Sequence, residues 1–206
     1  MTASLRPVRP DDLPALYHIA LVTGDAGHDA SDLYSDPRLV GHLYAAPYAV
    51  LSPETSFVAE DEGGVCGYIV GTLDTAAFGE RLEGHWWPDL RAQHADPDLA
   101  ERGDWSADDN LRYQIHHPQR MARRVLQAYP AHLHINLLPR AQGQGMGRRM
   151  IDRWLETIWT LGSPGAHLGV APTNHRAKRF YEAYGWERLD LGLPPEAVVF
   201  GMTRPG

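Results

Sequence analysis

Residues 141–150 read AQGQGMGRRM, directly after the apolar run 132–138 (HLHINLL) and its closing Pro139. Three glycines at alternate positions, Gly143, Gly145 and Gly147, lead at once into Arg148 and Arg149 and then an amphipathic stretch. A strand that runs into such a loop and leaves it as a helix is built for an anion. Glycines let the backbone turn tightly and approach a ligand, and the first N–H groups of the helix point outward with the positive end of its dipole. The two arginines add full charges, so a phosphate or pyrophosphate is the expected guest; a glycine turn without a ligand is the alternative. Two familiar phosphate loops fail on spacing. No Lys-Ser or Lys-Thr pair follows the glycines, which excludes GxxxxGK[ST]. GxGxxG fails because its last position is Arg148 when counted from Gly143 and Met150 when counted from Gly145.

Working outward, the run before the loop reads as a strand, with Leu133, Ile135 and Leu137 on one face and His132, His134 and Asn136 on the other. The helix after it, about 145–161, gathers Met150, Ile151, Trp154, Leu155 and Ile158 on one side. A strand at 166–170 (AHLGV) follows. Then comes a helix from Thr173 or Asn174 in which Ala177, Phe180, Tyr181 and Tyr184 keep i, i+3, i+4, i+7 spacing, and Gly185 stands where a left-handed cap belongs. Two last strands are expected at Trp186 to Leu191 and Ala197 to Met202.

Toward the N-terminus, residues 4–8 read as a strand and DDLPALYHIALVTG as a helix, with Asp11 or Asp12 capping its start and Gly24 ending it. A polar loop then leads to a second short helix ending near Pro47. Two apolar runs around DEGG (61–64) signal a β-hairpin. Residues 75–128 break the rhythm; they read as an insertion packed on the domain, with one helix expected at 117–128.

Gln142-x-x-Gly145-x-Gly147 resembles the Q/R-x-x-G-x-G/A loop of the GNAT superfamily of acetyltransferases. The segment LGVAPTNHRAKRFYEAYGW (168–186) is similar to that family's second block, through Asn174, Ala177, Phe180, Tyr181, Gly185 and Trp186. Both blocks stand in the family's order, and the N-terminal half matches more loosely. YPAHLHINLLPRAQGQGMG (129–147) also resembles the acetyltransferase-like domain of O-GlcNAc hydrolases and its free-standing bacterial relatives. The fold implied is α/β (α+β): one GNAT domain over 1–206, its twisted, mostly antiparallel sheet splayed between strands 131–138 and 166–170, with the insertion at about 75–128.

The resemblance implies an acetyl-CoA-dependent N-acetyltransferase acting on a primary amine, whether a small molecule or a peptide lysine, by direct transfer in a ternary complex. A catalytically inactive acyl-CoA sensor or interaction module is the alternative. Backbone groups of Gly143, Gln144, Gly145, Met146, Gly147 and Arg148 would bind the pyrophosphate. The backbone of Ile135 and Leu137 would pair with the pantetheine arm, leaving a Leu137 or Leu138 N–H for the thioester oxygen. Asn174 would reach the pantetheine or simply cap its helix, and Ala177 and Phe180 line the same side. Tyr181 matches the family acid that protonates the thiolate; a hydroxyl with a normal pKa near 10 is protonated at neutral pH. For the base, His132 and His134 resemble the His-x-His of arylalkylamine acetyltransferases, displaced by one residue, which in a strand turns a side chain to the other face. His134, Asp25 and Asp29 of an acceptor-side loop, and a water relay all stay open.

Composition sets the outer bounds. No apolar run approaches the roughly 18 residues a bilayer crossing needs, and the N-terminus lacks a secretory pattern. The single cysteine, Cys66, fits a reducing cytoplasm. A formal charge of −7 argues against nucleic acid as partner, since phosphate binding needs clustered Lys and Arg. Eleven histidines include no HExxH or paired-Cys spacing, so no metal is expected. Monomer and homodimer are both compatible with the sequence.

Overall fold

In the computed structural model, which describes residues 3–191 and 198–205, strand β1 (Ser4–Pro7) leads through a 3-10 turn into helix α1 (Leu13–Val22). Asp12 stands at the N-cap of α1, but its side chain makes no capping bond to the helix. Its carboxylate takes the Arg6 guanidinium at 2.7 and 2.8 Å and the Arg9 N–H at 2.7 Å, tying the strand to the turn. The expected second helix is two: α2 (Leu39–Tyr44) and α3 (Ala46–Leu51). Pro47 opens α3 instead of ending a helix, because a proline in the first turn gives up an N–H that has no intrahelical partner. The hairpin is β2 (Phe57–Asp61) and β3 (Gly64–Thr72).

The 75–128 stretch holds four helices: α4 (Thr75–His85), α5 (Trp87–Gln93), α6 (Ala107–His116) and α7 (Arg123–Ala128). The expected helix at 117–128 shrinks to α7. Two of the other three carry side-chain caps at their starts: Asp74 accepts from the Ala76 and Ala77 N–H groups at α4, and Ser106 with Asp109 forms a capping box at α6. Phe78, Trp87, Leu90, Leu111 and Ile115 from these helices enter the main core, so the stretch does pack on the sheet domain.

Next come β4 (Ala131–Leu137), α8 (Met146–Thr160), β5 (Gly165–Val170), α9 (His175–Tyr184), β6 (Glu187–Arg188) and β7 (Val198–Thr203). The last-strand expectation at Ala197 falls partly outside the described residues. Among the described residues seven strands run in the order β1-β2-β3-β4-β5-β7-β6, and of their pairs only β4–β5 is parallel, paired at just Ala131↔Ala166 and His132↔His167. Beyond that point β4 stays with β3 to Leu137 while β5 stays with β7 to Val170, so the sheet opens into a cleft.

The two faces are distinct. Leu133, Ile135 and Leu137 look toward α8, whose Met150, Ile151, Trp154 and Ile158 are fully buried. On the other face His132 and His134 meet Tyr48 of α3, and Asn136 donates to Thr23 Oγ1 just beyond α1 at 2.6 Å.

Candidate active site

The glycine loop sits at the mouth of the cleft. Gly143 (φ 74°) and Gly145 (φ 75°) both adopt left-handed backbone, which a side chain disfavours, and Gly145 is the N-cap of α8. A Cβ on either would meet nothing within 4 Å, so conformation and not crowding requires glycine there. Gly147 differs. Its Cβ would make ordinary contacts, 3.5 Å from both Leu137 Cδ1 and Phe180 Cζ, which suits a pattern that admits Gly or Ala. The first hydrogen bond of the helix runs from Arg149 N–H to the Gly145 carbonyl at 3.1 Å. Among the described residues the N–H groups of 143–148 have no acceptor, leaving a row of free donors at the positive end of a 15-residue helix.

Side chains of the loop act as its frame. Gln142 donates to the Leu137 carbonyl at 2.6 Å and accepts from Arg176 at 2.7 Å, fastening strand, loop and α9 together. Gln144 bonds back to the Arg140 carbonyl at 3.2 Å, and Met146 is buried in the core. The Arg148 guanidinium lies 4.9 Å over the Tyr184 ring, whose hydroxyl bonds Asp152, so this arginine sits on the α8–α9 seam.

Strand register decides which backbone groups face the cleft. Leu138 N–H donates to the Cys66 carbonyl at 2.8 Å, which makes 138/66 a hydrogen-bonded pair. Alternation then turns the N–H and C=O of Asn136, His134 and His132 toward β3, and those of Ile135 and Leu137 toward the opening. Leu138 is thereby removed as an N–H donor to a ligand in the cleft. Leu137 N–H remains.

On α9, Asn174 caps the helix through Oδ1 to Ala177 N–H at 2.9 Å. Among the described residues its Nδ2 has no acceptor, and it lies beside Gly27, at the tip of the loop that carries Asp25 and Asp29. Both carboxylates are exposed; Asp29 bonds the Ser31 N–H and hydroxyl, while Asp25 exchanges backbone bonds with His28. Phe180 reaches toward Gly147, placing α9 on the α8 side of the sheet. Tyr181 is 6% exposed, packed against Trp186 and Phe200 with ring centroids 6.0 and 5.9 Å away. Burial holds its hydroxyl protonated well above the usual tyrosine range.

From the opposite face, His134 Nε2 lies 3.1 Å from Tyr48 Oη, which is also 2.8 Å from His132 Nε2. Burial, with the neighbouring His167, lowers the His134 pKa to about 4, so the ring is neutral at physiological pH. The helices of 75–128 border this side: Tyr44 donates to Gln114 of α6 at 2.8 Å. Buried Asp108 of α6 accepts from the Ser35 and Asp36 N–H groups at 3.0 and 3.2 Å, so it pins the loop between α1 and α2. Arg176, Tyr48 and Asp108 were not legible as site residues; each acts through a partner far away in sequence. Among the described residues no group of three or more His, Cys, Asp or Glu side chains is placed to hold a metal ion, and no helix is long and apolar enough to cross a membrane.

The acetyltransferase (GNAT) family model matches residues 15–186. Protein O-GlcNAcase of Rattus norvegicus is 26% identical over 203 residues, covering 97% of this chain and 22% of that protein. The chain thus spans about a fifth of the length of the curated relatives it matches. Among solved structures, SsHAT is 34% identical with a TM-score of 0.90, covering 98% of both chains. The phosphinothricin acetyltransferase of Sinorhizobium meliloti, solved with AcCoA, is 14% identical with a TM-score of 0.56 over 98% of this chain and 89% of that one. At that identity the likeness bears on the fold alone.

Proposed function

The chain belongs to the acetyltransferase (GNAT) family, and on that premise we propose that it moves an acetyl group from acetyl-CoA to a primary amine, a small molecule or a lysine, by direct transfer in a ternary complex. The observation that carries this reading is the row of unpaired N–H groups from Gly143 to Arg148 at the head of α8, set beside two strands that part. Free amides on a helix N-terminus fit a pyrophosphate, and the outward backbone of Ile135 and Leu137 fits an amide-bearing arm laid along β4 as a further strand. Bound there, acetyl-CoA supplies the activated acyl group.

The chain's own residues then do the rest. Leu137 N–H offers a hydrogen bond to the thioester oxygen. Asn174 Nδ2 and the apolar surface of Ala177 and Phe180 steady the arm. Tyr181, protonated at neutral pH, would be the proton donor to the departing thiolate from the α9 side. His134 takes a proton from the amine on the opposite face, and Asp25 and Asp29 attract the cationic acceptor to the loop between α1 and α2. Cys66 is fully buried on β3, where its Sγ bonds the Ala59 carbonyl at 3.4 Å, so it is no candidate for an acyl-enzyme.

Titration calorimetry with coenzyme A and a thiol-release assay over an amine panel test the reading. Tyr181→Phe is expected to bind acetyl-CoA as wild type does and to turn over at least tenfold more slowly. Wild-type binding without turnover on any amine assigns the chain to acyl-CoA sensing instead, and no binding at all overturns both.

A further inference from the structure

The His132 face of the sheet carries an unbroken chain of polar contacts. Thr75 Oγ1, at the start of α4, lies 2.7 Å from the Pro130 carbonyl and 2.6 Å from His132 Nδ1. His132 Nε2 lies 2.8 Å from Tyr48 Oη, and Tyr48 Oη lies 3.1 Å from His134 Nε2. Tyr48 is held in place by its ring, stacked on Phe78 with centroids 4.4 Å apart.

Counting protons fixes the direction of every bond. A carbonyl oxygen only accepts, so the single hydroxyl proton of Thr75 goes to Pro130. Thr75 Oγ1 must then accept from His132, which places the proton of that neutral ring on Nδ1 and leaves Nε2 bare. Bare Nε2 accepts the only proton of Tyr48. Tyr48 Oη must in turn accept from His134, whose proton therefore sits on Nε2. His134 Nδ1 is left with a free lone pair. Among the described residues this atom has no hydrogen-bond partner, and it is not one of the sealed side-chain atoms that lack one, which are Arg81 Nε, Arg112 Nε and Trp186 Nε1; His134 itself is half-buried. The surrounding groups do not disturb the pattern. Tyr44, with its ring 5.4 Å from His134, spends its hydroxyl on Gln114, and His167 Nδ1 lies 2.7 Å from the Tyr129 carbonyl and so donates to it.

We propose that Thr75, His132 and Tyr48 are positioning residues that lock His134 in its Nε2–H tautomer and so present Nδ1 as the proton acceptor for the attacking amine. The inference rests on the acetyl-transfer reading. In the step it serves, one N–H bond of the amine breaks, one forms at Nδ1, and the resulting imidazolium keeps its Nε2–H on Tyr48. The chain runs one way because it ends on a carbonyl. The terminal threonine lies on a helix of the 75–128 stretch and the histidines on β4, so that stretch sets the protonation pattern of the strand.

The test is a long-range 1H–15N correlation spectrum of the full chain with 15N-labelled histidine at neutral pH, with His134 assigned through His134→Gln. Wild type is expected to show Nε2–H at His134 and Nδ1–H at His132. Thr75→Val removes the acceptor for His132 Nδ1–H. His132 then turns to the Nε2–H form, Tyr48 donates to His134 instead, and His134 flips to Nδ1–H with its free lone pair lost. Thr75→Ser restores the wild-type spectrum, and Tyr48→Phe, which keeps the ring stack, leaves His134 a mixture of tautomers. Turnover falls at least tenfold in Thr75→Val and returns in Thr75→Ser, while coenzyme A affinity stays unchanged in both. Nδ1–H at His134 in wild type, or a spectrum indifferent to Thr75→Val, overturns the tautomer lock whether or not the chain acetylates anything. The expected spectra with turnover indifferent to Thr75→Val overturn the positioning role and leave acetyl transfer standing.

Discussion

Two glycines that flank α8 offer a matched pair of perturbations. Gly145 precedes the helix at φ 75° and Gly162 follows it at φ 91°, and a Cβ on either meets no atom within 4 Å. Alanine at each therefore adds no clash, only the strain of a left-handed backbone, roughly 1–2 kcal/mol. For a chain of this size that is a Tm lower by about 2–4 °C per kcal/mol, similar for Gly145→Ala and Gly162→Ala. Their ligand behaviour should diverge. If Gly145 relaxes from φ 75°, the amides of Gly145, Met146 and Gly147 rotate away from a common point. A hydrogen bond to a charged group contributes about 1.5–3 kcal/mol, so losing one lowers coenzyme A affinity about tenfold or more. Gly162 lies at the far end of the helix and has no part in the loop. Calorimetry with coenzyme A, beside thermal unfolding without it, reads both quantities. Equal destabilisation with coenzyme A affinity untouched in Gly145→Ala would refute the amide cradle, as would an equal loss of affinity in Gly162→Ala.

Acid should unfold the protein in a defined window. His134 and His42 are both held near 4, and burial also lowers His132 and His167. The unfolded chain binds more protons below about 6.5, so stability is complete above that pH and drains away as pH falls toward 4. Burial penalises protonation of His42 in the folded protein; chemical denaturation between pH 4 and 8 should show this slope, reduced in His42→Gln. Asp108→Ala strips the Ser35 and Asp36 N–H groups of their acceptor and should cost about 1–3 kcal/mol. Hydrogen exchange at those two amides should rise first; an unchanged rate counts against Asp108 as the anchor of the loop. Trp154, fully buried with its indole N–H on the Thr55 carbonyl at 3.1 Å, should lose about 3–5 kcal/mol as alanine, read from the urea midpoint.

Much of the architecture was legible because it is written in short-range patterns. The alternation of 132–138 gave the two faces of β4, and the apolar spacing of α8 placed Met150, Ile151, Trp154 and Ile158 in the core, where they are fully buried. Glycines at 143 and 145 announced a tight turn, which takes left-handed backbone at both, and Asn174 with Gly185 bracketed α9. Those signals lie within one element, so local chemistry decides them. The helices of the 75–128 stretch are hard to see in the sequence because their apolar faces are incomplete; only docking on the sheet shows which residues they bury.

What the tertiary structure alone decided is pairing across long separations. Leu137 was separated from Leu138 as the cleft-facing N–H by a single bond to Cys66 in another strand. Tyr48 meets His132 and His134 from 84 and 86 positions away, and Asp108 reaches Ser35 across 73. Sequence determines what each residue is able to donate, accept or bury. Which partner it finds depends on how the chain closes those loops, and a hydrogen bond's direction follows from every contact its two ends make at once.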